Sequence, residues 1–253
     1  MRPIALLTDF GTRDWYVGVL HAVLEREAPG CARIDISHAV AAGDVTHAVF
    51  FLGCAWESLP ADAVVLVVVD PGVGTGRRAV AARCGGRWIV GPDNGVAGAR
   101  GAPDELWSIE PEKLDLGLPS NTFHGRDLFA PAAARLARGD AAATLGQQLD
   151  PASAERPPCG EEAVRVIHVD RFGNCITGIL AAVAPSGARL AWSNGVSERR
   201  VPSYGHAEPG RLVTLEGSSG HLEIACVNGS AAATTGLQRG DAVSLVPENE
   251  ETP

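Results

Sequence analysis

Three short apolar runs, each followed by an aspartate in a glycine-rich turn, constrain the fold of this chain most. The runs cover residues 4–7, 64–69 and 88–90, and the aspartates that follow them are Asp9, Asp70 and Asp93. Their apolar residues are continuous rather than alternating, which is typical of strands buried on both faces of a parallel sheet. Ligands of open α/β sheets bind beyond the carboxyl ends of the strands, so we expect the three aspartates to share a pocket. Taken singly, each is also a common turn residue.

Segments with helical spacing of apolar residues separate and follow these strands. They cover residues 17–26, 45–58 and 128–137, with Asp44 at the N-cap position of the second and Gly139 after the third. The alternation of strand and helix predicts an α/β N-terminal domain over residues 1–150, with a mostly parallel sheet flanked by helices.

The second part of the chain has a different pattern. Residues 151–161 are rich in proline, alanine and charge and are predicted to be a linker. Beyond them, short β-rich runs at 163–169, 189–192, 211–215, 222–227 and 242–246 are separated by glycine and proline turns. This pattern predicts a smaller all-β C-terminal barrel domain over residues 162–247, followed by an acidic tail at 248–253.

Composition and charge exclude several classes of function. The net charge of −9 disfavours a nucleic-acid partner, which needs clustered Lys and Arg. The six cysteines form no CxxC pair, so neither a metal cluster nor a redox motif is expected. No apolar run reaches membrane-spanning length and no signal-cleavage pattern is present, so we expect no membrane partner and a cytoplasmic location with reduced thiols.

The glycine-rich segment at residues 70–78 is similar to a nucleotide-binding loop but lacks its defining residues. A dinucleotide fingerprint would need a glycine where Arg77 stands, and the Gly-Lys-Ser/Thr of a P-loop is absent. A dinucleotide-dependent oxidoreductase is therefore disfavoured. The segment instead places Asp70 and Arg77 at the two ends of a tight, glycine-lined turn.

Three further polar clusters are candidates for a site. His124, in the segment at 121–127, is either a structural histidine or a partner of Asp70 and Arg77 in holding a water molecule for acid–base chemistry. Residues 170–174 place charge and amide groups around Phe172, with a simple β-turn and a core Phe172 as the alternative. The cluster at 217–220 could donate hydrogen bonds to a carboxylate.

Taken together, these segments resemble the S-adenosylmethionine hydroxide adenosyltransferase family, which also includes fluorinating and chlorinating enzymes that act on the same substrate. The resemblance spans nearly the whole chain, and several ordered motifs together are far more specific than any one of them. They are LTDFG at 7–11, Tyr16-Val17-Gly18, DISH at 35–38, VVDPGVGTGRR at 68–78, GPDNG at 91–95, TFHGRDLFAP at 122–131, DRFGN at 170–174 and SSGHLEIA at 218–225.

The resemblance implies a reaction and an assembly. Water would attack the ribose C5′ of S-adenosyl-L-methionine and release adenosine and L-methionine, with no cofactor and no metal ion. The catalytic residues would be Asp70, Arg77 and His124. Halide-using members have no acid at the position of Asp70, so its presence favours water as the nucleophile. The family's architecture implies a homotrimer whose active sites lie between the N-terminal domain of one subunit and the C-terminal domain of its neighbour.

The resemblance also assigns substrate-binding residues by motif position. Asp9 would bind the ribose diol, Asp170 and Ser219 the methionine ammonium and carboxylate, and Asn174 the adenine, with Phe123 and Gly125 shaping the wall around C5′ and Val227 on the adenine side. The chain departs from the family pattern at Val96-Ala97, at Gly178 and in the turn at 226–229, and these departures concern the fine shape of the adenine site and not the reaction centre. A halogenase and a non-catalytic sensor of S-adenosylmethionine or adenosine are the alternative functions.

Overall fold

The computed structural model describes residues 1–115, 117, 119–157 and 164–246. It divides the chain into two compact units, Met1–Cys159 and Gly160–Pro253. The end of the predicted linker, 158–161, and the predicted acidic tail, 248–253, lie outside the described residues. The described part of the linker segment packs on the first unit, where Pro151–Ser153 forms a 3₁₀ turn and Ala154 is buried.

A seven-stranded sheet forms the centre of the first unit. Its strands are β1 (Ile4–Thr8), β2 (Arg33–Ser37), β3 (Val64–Val68), β4 (Ala79–Cys84), β5 (Arg87–Pro92), β6 (Glu105–Ser108) and β7 (Gln148–Leu149). The strand order is β2-β1-β3-β5-β4-β6-β7. The pairings between β2, β1, β3 and β5 are parallel, and the other three are antiparallel.

The prediction of a mostly parallel sheet is therefore not confirmed, since the sheet is mixed. The physical reason lies in the turn between β4 and β5. Gly85 and Gly86 both have positive φ, 54° and 91°, as a two-residue hairpin turn requires. This hairpin reverses the chain direction and gives the sheet an antiparallel half.

Helices cover both faces of the sheet. They are α1 (Tyr16–Glu27), α2 (Val45–Trp56) and α3 (Ala130–Arg138), with a π-helical turn at Gly125–Phe129 directly before α3. Alternate residues of β1 point to opposite cores: Leu6 packs with α1 and α3, and Leu7 packs with α2. The prediction that the continuous apolar runs are strands buried on both faces is thus confirmed. The predicted cap also forms, since the Asp44 side chain accepts a hydrogen bond from the His47 amide at 2.9 Å.

The second unit is rich in short strands. They are β8 (Val166–Val169), β9 (Cys175–Leu180), β10 (Arg189–Trp192), β11 (Gly195–Val196), β12 (Glu198–Arg200), β13 (Leu212–Glu216), β14 (His221–Cys226) and β15 (Ser244–Val246). The described strands form a five-stranded sheet, β12-β13-β14-β9-β8, and a three-stranded sheet, β11-β10-β15. A short helix, α4 (Ala231–Thr235), follows β14. The predicted all-β barrel is therefore not confirmed.

Within the described ranges, no helix combines the length and the apolar character needed to cross a membrane.

Candidate active site

Two of the three aspartates that follow strands meet at a cavity of the first unit. Asp9 follows β1 and Asp70 follows β3, and these strands pair in parallel with Thr8 opposite Val68. Their carboxyl ends are therefore adjacent, and both aspartates line a cavity of about 310 Å³. The remaining lining residues are Phe10, Tyr16, Val68, Val73, Thr122, Phe123, His124 and Gly125.

The third aspartate, Asp93, does not line this cavity, so the prediction of one pocket with three aspartates is wrong at this position. The Asp93 carboxylate forms an ion pair with Arg78 and accepts a hydrogen bond from the Glu155 amide at 2.9 Å. Its side chain is 1% exposed. Asp93 therefore connects the loop that follows β3, through Arg78, to the segment before residue 158, through Glu155.

The guanidinium of Arg77 connects the other two predicted catalytic residues, Asp70 and His124. Arg77 Nε donates to Asp70 Oδ1 at 2.8 Å, and Arg77 Nη2 donates both to Asp70 Oδ2 and, at 2.7 Å, to His124 Nδ1. The side chains of Asp70 and Arg77 are 7% and 12% exposed, so the bidentate pair is largely removed from water. The structure thus brings together residues that lie far apart along the chain.

The contact with Arg77 determines the tautomer of His124. Arginine has only donors, so His124 Nδ1 must accept, and a neutral ring then carries its proton on Nε2. Burial of the ring lowers the pKa of His124, and the positive charge of Arg77 lowers this pKa further. At neutral pH the imidazole is therefore an uncharged Nε2–H donor.

The Asp9 carboxylate lies in a different environment on the same cavity. Burial raises the pKa of Asp9, and the hydrogen bond from the Gly43 amide, at 2.7 Å, opposes this shift. The negative charge of Asp70 adds to the rise in the pKa. The cavity therefore has two carboxylates, of which Asp70 is paired with a guanidinium and Asp9 is held by a backbone amide.

Glycine at position 74 allows the two loops of the site to approach each other. Gly74 has a φ of 75°, and a Cβ there would lie 2.5 Å from the carbonyl oxygen of Asn121. Residues 70–78 can therefore pack directly against residues 121–127, which carry His124. The Arg77 guanidinium also lies 5.1 Å from the centre of the Phe129 ring, in the π-helical turn.

Aromatic side chains form one wall of the cavity. Phe123 is 9% exposed, and its ring contacts Phe10 and Tyr16 edge-on with centroid distances of 5.9 and 5.3 Å. The space at Gly125 is small, because a Cβ there would come within 3.1 Å of the Val68 side chain. Phe10 and Tyr16 were not predicted as site residues. Phe10 lies in the motif that follows β1, and Tyr16 is the first residue of α1.

In the second unit, Asp170 and Asn174 form one hydrogen-bonded turn. Asp170 Oδ1 accepts from the amides of Phe172 and Asn174, both at 2.9 Å, and Asp170 Oδ2 accepts from Asn174 Nδ2 at 2.9 Å. Phe172 is 76% exposed, so the alternative that places its ring in the core is wrong. The turn instead presents an exposed aromatic ring beside a fixed carboxylate.

Tyr204 and Glu223, which sequence reasoning missed, extend this network. Asn174 Nδ2 lies 3.3 Å from the Tyr204 hydroxyl, which donates a hydrogen bond to Glu223. Glu223 is 3% exposed, and burial raises its pKa. An acid at a buried position of the strand motif SSGHLEIA was the available signal for this residue.

The remaining two predicted residues of the second unit differ in what they offer to a ligand. The Ser219 hydroxyl oxygen is buried and has no hydrogen-bond partner among the described residues. The Val227 side chain packs in a hydrophobic cluster with Val213. The Val227 amide donates to Arg211 and its carbonyl accepts from Gly210. Ser219 is thus available for a polar contact, whereas Val227 offers chiefly apolar surface.

Comparisons with known proteins identify the family of the chain. Two family models match the chain: the SAM hydroxide adenosyltransferase N-terminal domain over residues 4–146, and the C-terminal domain of the same name over residues 164–244. A Thermus thermophilus protein named (R)-S-adenosyl-L-methionine hydrolase is 44% identical over 97% of this chain and 100% of its own length. A protein of the same name from Salinispora tropica is 39% identical over 94% of this chain and 95% of its own length.

Solved structures show the same overall similarity. An uncharacterized conserved protein from Thermotoga maritima has a TM-score of 0.87 and 33% identity, covering 96% of this chain and 100% of the other. A conserved hypothetical protein from Thermus thermophilus has a TM-score of 0.79 and 40% identity, covering 97% and 100%. Since matched family models account for most of both units, the chain belongs to the SAM hydroxide adenosyltransferase family.

Proposed function

We propose that this protein hydrolyses S-adenosyl-L-methionine to adenosine and L-methionine by attack of water on the ribose C5′. The observation that carries the proposal is the Arg77 guanidinium that bridges Asp70 and His124 at the cavity. The (R)-S-adenosyl-L-methionine hydrolase names of full-length relatives support the same reaction.

The chemistry needs an activated nucleophile more than an acid. The sulfonium makes methionine a neutral thioether leaving group, so the C5′–S bond breaks with its electron pair going to sulfur. Water is a weak nucleophile at neutral pH, and a positioned base contributes roughly a hundred- to ten-thousand-fold to such a step. Asp70 accepts the proton of the attacking water as the new C5′–O bond forms.

Arg77 and His124 position this water and stabilise charge. Each Asp70 oxygen accepts one hydrogen bond from Arg77 and keeps further lone-pair capacity for a water proton. His124 is a donor through Nε2–H, since its Nδ1 faces Arg77, so it orients the water rather than removing its proton. A dry cavity strengthens these contacts, and holding the water in line with C5′ lowers the entropic part of the barrier. This centre uses no cofactor and no metal ion.

The other predicted residues position the substrate. Asp9 accepts hydrogen bonds from the ribose diol, and Phe123 and Gly125 form the wall beside C5′. In the second unit, the buried and unpartnered Ser219 hydroxyl suits the methionine carboxylate. In the same unit, Asp170 binds the ammonium group, and Asn174 and Val227 contact the adenine.

The assembly we propose is a homotrimer in which each active site combines the first unit of one subunit with the second unit of its neighbour. Support comes from the family's architecture and from the presence of polar clusters on both units. Asp70, Arg77 and His124 lie on the first unit, and Asp170, Asn174 and Ser219 lie on the second.

The relatives' names specify the (R) form of the substrate, and we infer the same preference here. The two forms differ in configuration at the sulfonium. When the methionine carboxylate and ammonium are held in the same position, C5′ therefore points in a different direction in each form. A site that positions water in line with C5′ in one form will misplace it in the other.

Chromatography of each sulfonium epimer incubated with purified protein in ¹⁸O-labelled water tests this function. We expect adenosine that carries the heavy oxygen at C5′, formed faster from the (R) epimer. Unlabelled adenosine would exclude direct attack by water. A halogenated nucleoside formed in the presence of chloride or fluoride would identify a halogenase, and tight binding without any product would identify a sensor.

A further inference from the structure

A cluster of two histidines and one aspartate, none of which lines the cavity, lies at the edge of the first sheet. His21 is on α1, Asp35 is on β2, and His38 follows β2. One ligand atom from each lies within 4.8 Å of the others. We propose that His21, Asp35 and His38 bind a divalent transition-metal ion, with Zn²⁺ as the best fit.

Two of the three distances within the cluster are close to those between the ligands of one ion. Asp35 Oδ1 lies 3.1 Å from His21 Nε2 and 3.3 Å from His38 Nε2. With Zn–N and Zn–O bonds of roughly 2.0–2.2 Å, tetrahedral ligand atoms are about 3.4 Å apart. The two contacts therefore need little adjustment to hold a shared ion, and imidazole with carboxylate is a donor set that zinc accepts.

The surroundings of His38 provide a second, independent observation. His38 is 8% exposed, and its Nε2 is buried without a hydrogen-bond partner, because its approach to Asp35 lacks hydrogen-bond geometry. Its other ring nitrogen, Nδ1, lies 2.9 Å from the Thr8 hydroxyl. A histidine ligand usually donates its second ring N–H to such an acceptor, which leaves the first nitrogen free for the metal.

A metal ion between His38 Nε2 and Asp35 Oδ1, which lie 3.3 Å apart, would give this buried nitrogen a partner. Asp35 is 48% exposed, so the ion can enter from solvent and water can complete its coordination. The nearby Arg33 does not compete for Asp35, because its guanidinium pairs with Glu25 and donates to the His21 carbonyl at 3.0 Å.

The ion would also brace the turn that carries Asp9. The His38 carbonyl accepts from the Gly11 amide at 2.7 Å, and the Thr8 hydroxyl accepts from the Phe10 amide at 3.3 Å. His38 is therefore attached to the chain on both sides of Asp9. An ion that fixes His38 should raise the melting temperature, since it joins α1 to β2 and to the residue that follows β2 only in the folded chain.

Competition titration of Zn²⁺ against a chromophoric chelator, on full-length protein stripped with EDTA, tests the proposal. We expect the wild type to bind one equivalent in this cluster with micromolar or tighter affinity. His21→Ala and Asp35→Asn should each weaken this binding by at least about tenfold. His206→Ala is the matched control, because His206 is an exposed histidine of the second unit and should leave binding unchanged.

Two further measurements keep the result interpretable. Circular dichroism without metal should show the same fold and melting temperature in both variants, since His21 and Asp35 are partly exposed, and Zn²⁺ should raise the melting temperature of the wild type alone. Co²⁺ bound to the wild type should give the intense visible bands of a four-coordinate site. A wild type that binds no Zn²⁺ at micromolar concentration, or folded variants that bind as tightly as the wild type, would overturn the proposal.

Discussion

Arg77 is central to the proposed chemistry of the site because its planar guanidinium contacts two different acceptors at once. Nε and Nη2 reach both oxygens of Asp70, while Nη2 also reaches His124. Only a guanidinium has this set of donors in a fixed plane, and an ammonium cannot replace it. The same contact sets the tautomer of His124, so loss of Arg77 changes both Asp70 and His124, the two other residues of the proposed catalytic set.

Replacement of Arg77 by lysine should therefore reduce turnover. For Arg77→Lys we expect kcat to fall by about 100-fold or more, with a smaller change in KM, because the lost contacts act on the water and not on the substrate. Steady-state kinetics measures both values. Arg78→Lys is the control in the same loop, since Arg78 pairs with Asp93 outside the cavity. Equal losses of kcat in the two variants would contradict the proposal that turnover depends on the contacts of Arg77 with Asp70 and His124.

The lowered pKa of His124 predicts how activity depends on pH. The neutral ring persists below the ordinary pKa of about 6.5, so kcat/KM should stay high at that pH. At lower pH, a proton on Nδ1 removes the acceptor for Arg77, and kcat/KM should fall. NMR titration of the imidazole, assigned with His124→Gln, should give a pKa below the ordinary value in the wild type and a higher one in Arg77→Met. A His124 pKa at or above the ordinary value would contradict this account.

At the scale of elements, the close approach of the loops at residues 70–78 and 121–127 depends on the backbone at Gly74. Gly74→Ala combines a left-handed φ with a Cβ placed 2.5 Å from the Asn121 carbonyl oxygen. We expect a loss in the free energy of unfolding of at least about 2 kcal/mol, together with reduced activity. Urea denaturation measures the first and turnover the second.

Gly76→Ala is the matched control for this prediction. Gly76 lies in the same loop, its φ is outside the left-handed region, and a Cβ there would meet no atom within 4 Å. Its free energy of unfolding should remain within about 0.5 kcal/mol of the wild type. Equal stability of the two variants would show that the loops do not need their close approach.

Helices and strands were predicted correctly where a local sequence signal agreed with the tertiary packing. They were predicted wrongly where such a signal was not used. The helix starting at Asp44 and the strands β1, β3 and β5 follow from capping and continuous apolar runs. The antiparallel half of the sheet follows from the Gly85-Gly86 hairpin turn. The prediction of a mostly parallel sheet did not take this turn into account. The β2 strand was not predicted, although Ile34 and Ile36 alternate with polar residues as in a half-buried strand; its place in the sheet is set by pairing with β1.

At the scale of the whole molecule, the proposed trimer predicts complementation between inactive variants. Asp70→Asn disables the first unit and Asn174→Ala the second, so each variant alone should be nearly inactive. Co-expressed in equal amounts, they should regain about a quarter of wild-type activity, since that share of interfaces pairs two intact units. Activity assays of the co-purified protein measure the recovery. A mixture no more active than its parents would exclude active sites shared between subunits.

The sequence by itself determined the buried strands, the main helices and many of the candidate site residues, because apolar periodicity, caps and ordered motifs are local properties of the chain. Only the tertiary structure decided which of those residues meet. It brought Arg77 between Asp70 and His124, directed Asp93 to Arg78 instead of the cavity, and assembled His21, Asp35 and His38. The physical reason is that side-chain contacts across many residues depend on strand pairing, on loop approach at Gly74 and on helix packing. No local pattern encodes those distances.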